Sequence, residues 1–195
     1  MSQLGRLPYL RRCEASDDAF LYDVFSTTWA SEVAALPNQK LARHVLRIQH
    51  IAQERRLASR YPGHERFIVV EDGQSAGRLY VHDQGPSLNV IDLTLMPQFR
   101  SRGIGTRLFR DLFEEAGQDG RTVTLRVGRT NHRATDLYTA LGFQLVAVDD
   151  LDNSFEWNPN AAEETSAEGS DTQAAPLTGA TKESAEALHP GAERR

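Results

Sequence analysis

Apolar positions along this chain change period several times, and each change predicts an element. Ile104, Leu108, Phe109, Leu112, Phe113 and Ala116 recur at three- and four-residue steps, which places them on one face of a helix. Residues 122–127 alternate instead, with Val123, Leu125 and Val127 on one side, as in a half-buried strand. Ala134, Leu137, Tyr138 and Leu141 return to helical spacing. Asn131 before them is a good N-cap, and Gly142 after them is a good C′ stop.

The rest of the chain reads in the same way. Residues 7–14 are a first strand, and Ser16 or Asp17 caps a helix that buries Phe20, Leu21, Val24 and Phe25. Residues 26–37 read as a loop with an exposed Trp29. A long helix over 38–60 shows a stripe of Leu41, Val45, Ile48 and Ala52. Its Arg43, Arg47, Arg55, Arg56 and Arg60 read as a solvated face. Residues 61–64 break the helix, and strands follow over 67–71, 76–82 and 88–95. Asp72-Gly73 and residues 84–87 supply the turns between them. Residues 143–149 and 153–157 are closing strands, joined by an acidic turn over 149–152.

Beyond Trp157 the pattern stops. Ala, Glu, Ser, Thr, Gly and Pro dominate, and such a segment buries too little surface to offset its ordering entropy. The expected division is a domain over 1–158 and a disordered acidic tail over 159–195. Composition changes this picture little. The chain has 195 residues, 39% of them hydrophobic, enough for one ordinary core. Its single cysteine, Cys13, excludes an intramolecular disulfide and a cysteine-rich zinc site. That suits a cytoplasmic protein, and neither a secretory signal nor a membrane span is expected. Residues 158–195 hold seven acidic and three basic side chains, leaving 20 acidic and 19 basic in the body. A nearly neutral body gives no electrostatic reason to bind nucleic acid.

Candidate chemistry gathers where residues 93–106 pass from strand to helix. A helix start frees backbone N–H groups and carries partial positive charge, so it accepts phosphate. Gly103 and Gly105 let a ligand approach the backbone, and Arg100 and Arg102 add forked donors. A pyrophosphate-bearing ligand is therefore expected here. The stretch has no Lys for a Walker A loop, and Leu108 stands where a dinucleotide fingerprint needs its third glycine. What remains is Arg-x-x-Gly-x-Gly at Arg100, Gly103 and Gly105.

That pattern, together with Asn131, Tyr138 and Gly142-Phe143 at their spacing, resembles the GCN5-related N-acetyltransferase (GNAT) superfamily. The resemblance covers about residues 8–157 and is most specific over 88–148. It implies an α/β (α+β) fold with a mixed, mostly antiparallel sheet of six to seven strands and about four helices. It implies acetyl-CoA as co-substrate, no metal, and an amine acceptor on a small molecule or peptide; a homodimer is compatible with it. Leu93, Thr94 and Leu95 would receive the pantetheine arm through the backbone. Arg100, Ser101, Arg102, Gly103, Ile104, Gly105 and Thr106 would surround the pyrophosphate, and Asn131 would lie near the reacting end. Tyr138 matches the acid that protonates the thiolate. The chain departs from the pattern at Arg126, where some relatives carry a glutamate base. Asp92 is the leading substitute, with His82, His64 and Glu65 behind it. The acceptor would lie among Trp29, residues 32–37, residues 61–64 and the acidic turn. A binding module that keeps the acyl-CoA pocket without chemistry is the alternative.

Overall fold

The computed structural model describes residues 3–30, 33 and 37–160. The tail expectation, and most of the 32–37 loop, lie outside those residues. A short 3-10 turn leads into strand β1 (Leu10–Arg12), which is shorter than the predicted first strand. Helix α1 (Asp18–Thr27) buries Leu21, Val24 and Phe25. Helix α2 (Gln39–Arg60) is capped by Asn38, whose side chain accepts from the Leu41 N–H. Strands β2 (Glu65–Glu71), β3 (Gln74–Asp83) and β4 (Ser87–Leu95) form an antiparallel meander. Helix α3 (Ile104–Gln118), β5 (Thr122–Gly128) and helix α4 (His132–Ala140) follow. Strands β6 (Gln144–Val148) and β7 (Asp152–Trp157) close the chain. The sheet has seven strands in the order β1-β2-β3-β4-β5-β7-β6. Only β4 and β5 run parallel.

Alternation along the strands sorts side chains onto two faces. Leu79, Val81, Leu88, Val90, Val123 and Leu125 pack with Leu108, Phe109 and Leu112 of α3 in the larger core. Ile68 and Tyr80 on the other face pack with Leu21 of α1, with Leu57 of α2 against them. Phe113 stacks on Trp157 at 4.3 Å between ring centroids, which seals the end of α3 against β7.

Helix α2 corrects its expected stripe. Leu41, Val45 and Ile48 are 58%, 43% and 55% exposed, and Ala52 is exposed too. The buried side is instead Ala42, Leu46 and His50. The helix carries apolar residues on two opposite faces, and spacing alone does not say which one meets the sheet. Glu54 settles the rotation. It turns inward to Arg66 at 3.0 Å and to Arg78 at 3.6 Å, and it accepts from the Tyr80 hydroxyl. Among the described residues no helix is long and apolar enough to cross a membrane.

Candidate active site

Two features of β4 open a cleft in the sheet. Its parallel pairing with β5 covers only Ser87 to Val90, against Thr122 to Leu125. Beyond that point β4 and β5 part, while the other edge of β5 stays paired with β7 from Val123 to Gly128. On the other side the β3–β4 register slips, so that Tyr80 opposes Asp92 while Val81 opposes Val90. Ile91 is the extra residue of this bulge, and bulges bend the strand that carries them. From Ile91 to Leu95, then, the edge of β4 nearest β5 faces no strand.

The turn after β4 brings the helix mouth to that edge. Gly103 is the N-cap of α3 and sits at φ 78°, a left-handed conformation that suits glycine. A Cβ at Gly105 would meet nothing closer than Leu93 Cδ2 at 4.0 Å. A cavity of about 380 Å3 lies over these residues, walled by Leu93, Leu95, Arg100, Ser101, Gly103, Ile104, Gly105 and Thr106. Its far wall is Asn131, Arg133, Ala134, Leu137 and Tyr138 from the α4 side. A second cavity, of about 200 Å3, occupies the split between β4 and β5. It holds Asp92 and Arg126, and it shares Leu93, Asn131 and Tyr138 with the first. The two make one trough from the helix mouth to the split.

Of the expected cofactor-binding residues with Tyr138 and Asp92, all but two meet in this trough. The Arg102 guanidinium sits over the Phe99 ring at 5.4 Å. Thr94 projects to the α2 side of the sheet and donates to Asp92 Oδ1 at 2.6 Å. Arg100 lines the trough, but its Nε donates to the Leu95 carbonyl and its Nη2 to Thr27. Asn131 caps α4 through the Ala134 N–H and also walls both cavities.

Tyr138 lies half-buried, edge-on to Phe109 at 5.5 Å and beside Phe143. Burial, and then the nearby charge of Asp92, push its phenol up to about 12. The group therefore holds its proton at neutral pH. Asp92 is fixed from two sides, by Arg78 at 2.5 Å and by Thr94. Arg78 is 1% exposed and also meets Glu54, so a chain of ion pairs ties α2 to the split. Arg126 is drawn to Asp149 and to Asp152 of the acidic turn. Backbone N–H groups of Asp152 and Leu151 hold Asp149 below the usual carboxylate range. The other base candidates face elsewhere. His82 contacts the Pro62 carbonyl, His64 the Tyr61 carbonyl, and Glu65 pairs with Arg12. Trp29 is half-buried against Phe25. Sequence reading missed Arg78, Arg133 and the cavity-facing side of Leu137. Only the Leu137 position carried a signal, since it lies at the edge of its helical face.

A family model described as acetyltransferase (GNAT) family matches residues 22–143, more than half of the chain. The chain belongs to the GNAT acetyltransferase family. Its mixed seven-stranded sheet with flanking helices matches that family's fold. Among solved structures it is similar to the PaiA N-acetyltransferase from Thermoplasma acidophilum, solved with coenzyme A. Identity there is 18%, over 76% of this chain and 97% of that one, with a TM-score of 0.58. An acetyltransferase from Thermus thermophilus gives 17% identity, coverage of 76% and 95%, and a TM-score of 0.54. A GNAT-family protein from Desulfovibrio desulfuricans gives 15% identity, 77% and 98% coverage, and a TM-score of 0.53. At these identities the likeness carries the fold. No curated protein sequence matches the chain.

Proposed function

We propose that this GNAT acetyltransferase moves an acetyl group from acetyl-CoA to a primary amine of a small molecule or peptide, by direct attack. The observation that carries this is the continuous trough. It joins a phosphate-accepting helix mouth to a split that holds a protonated phenol and a carboxylate. Coenzyme A fits its parts. The N–H groups at the start of α3, with Ser101 and Arg133, meet the pyrophosphate. The free edge of β4 at Leu93 and Leu95 pairs with the amide-bearing pantetheine arm as an added strand would. The Leu95 carbonyl already accepts from Arg100 Nε, and its second lone pair is open to the arm.

At the split the neutral amine attacks the thioester carbonyl, and the C–N bond forms as the C–S bond breaks. Tyr138 donates its proton to the departing thiolate. Asp92 takes up the proton that the amine loses. Arg78 and Thr94 occupy one position on each of its oxygens, and a carboxylate oxygen has room for a second partner. Holding both groups in place lowers the entropic cost of the encounter.

The experiment is titration calorimetry with acetyl-CoA, followed by thiol release over a panel of amines. Binding with acceptor-dependent thiol release is the expected result. A second reading, binding without chemistry, draws on the ion pair that engages Asp92. Binding with no thiol release from any amine would select it.

The proposal assigns this activity to residues 1–158 and none to the tail. Removal of residues 161–195 is therefore expected to shift the melting temperature by no more than about 1 °C, below the ~2–4 °C that a 1 kcal/mol loss gives in a domain this size. Differential scanning calorimetry on the two chains checks it, and a drop of several degrees would count against the division.

A further inference from the structure

Exposed large apolar side chains are not scattered over the described residues. Leu41, Val45, Ile48 and Ile51 lie on α2, and Leu145, Val146, Val148 and Leu151 lie on β6 and the turn after it. Leu137, the one other, lines the trough. Apolar groups gathered this way mark interaction surfaces.

The two patches differ in charge. Helix α2 carries Lys40 and five arginines against one acid, Glu54, and Glu54 is turned inward to Arg66 and Arg78. All six of those cations are exposed. Residues 144–152 carry Asp149, Asp150 and Asp152 and no cation. Arg126 from β5 meets Asp149 and Asp152, and Arg129 reaches the Asp149 carbonyl. Asp150 stands exposed beside Leu151.

Strand β6 is the outer strand of the sheet, and all five of its residues are exposed. It contains no Lys, Pro or charge, the usual guards of such an edge. The β6–β7 register slips at Val146, which makes the edge a poor template for another strand. Its apolar side chains still face solvent, and a helix laid over such an edge is one way to cover them.

Pairing α2 with α2 of another copy would set cations against cations. Pairing α2 with β6 sets a basic apolar face on an acidic apolar one. We propose that two copies of this chain associate reciprocally, the outer face of α2 in each covering β6 and the β6–β7 turn of the other. Each patch is then used once, and the arrangement closes at two copies. The helix, about 33 Å long at 1.5 Å per residue, spans a strand of about 17 Å. The contact also brings the second copy's α2 to the turn that holds Arg126 at the rim of the reaction split.

Sedimentation of the full chain over a range of concentrations and salt tests this. The expected species has twice the chain mass and weakens as salt rises. Ile48→Glu and Val146→Lys are each expected to weaken association about tenfold or more, with unchanged circular dichroism because both positions are exposed. An equimolar mixture of the two variants regains the dimer. One contact is then native, and the other joins the two introduced charges. A wild-type chain that stays monomeric overturns the proposal. So does a dimer that survives Ile48→Glu, which would mean β6 pairing on β6, or a mixture of the variants that stays monomeric.

Discussion

Gly105→Val is expected to abolish coenzyme A binding in a chain that still folds. The position lies in the first turn of α3, at the mouth of the trough. Inside the protein there is room for a side chain, since Leu93 Cδ2 at 4.0 Å is the nearest atom to an added Cβ. Valine is also a better helix former than glycine, by a few tenths of a kcal/mol. Folding therefore loses nothing. What the isopropyl group fills is the space over the helix mouth, where free N–H groups must come within hydrogen-bond reach of phosphate oxygens. Displacing them by the width of a methyl group leaves the anion without donors. We expect affinity to fall by about a hundredfold or more, equivalent to about 2.8 kcal/mol. Calorimetry with coenzyme A and a melting curve on the same sample check it. Gly103→Val is the contrasting case. Gly103 sits at φ 78°, so a branched side chain there costs about 1–2 kcal/mol of backbone strain and lowers the melting temperature as well. Unchanged affinity in Gly105→Val would remove the phosphate-loop assignment.

Tyr138→Phe is expected to lower kcat by about a hundredfold or more, the usual scale for a lost acid catalyst, and to leave coenzyme A affinity nearly unchanged. The ring contacts with Phe109, Phe143 and Phe155 survive, so the site keeps its shape. Only the proton donor disappears. The sign of the pH effect follows from the phenol's position. Its folded value of about 12 lies above the ordinary tyrosine value near 10. The folded state thus favours the protonated form, and that share of stability is present at neutral pH. It is lost as pH rises through about 10 to 12, because ionising the phenol costs more in the folded chain than in the unfolded one. The phenylalanine variant lacks this loss. Single-turnover thiol release, with denaturation at pH 8 and above, measures both effects. Equal turnover in the two proteins would return Tyr138 to a packing role.

Where the sequence reading succeeded, the determinants were local. The path from Leu93 to Thr106 is a strand, a glycine-bearing turn and an amphipathic helix start, and each is set by residues within four positions of one another. Asn131 as cap and Tyr138 two turns later are likewise fixed by helical spacing. The outcome differed on α2, where Leu41, Val45, Ile48 and Ala52 keep as good a spacing as Ala42, Leu46 and His50. Period says that a face exists and cannot say what covers it. Asp92 shows the same limit. Its carboxylate meets Arg78, 14 positions earlier, only because the β3–β4 register passes through a bulge at Ile91. A strand without that extra residue would reverse the faces of one half relative to the other.

Local spacing alone thus determined the element order, the helix mouth at Gly103 and the pairing of Asn131 with Tyr138, because hydrogen bonding and steric limits act between near neighbours. Packing of distant segments decided which side of α2 is buried, how far β4 parts from β5, and which ions surround Asp92. Those outcomes depend on surfaces that meet only after the sheet has assembled, and no window of the sequence contains both partners.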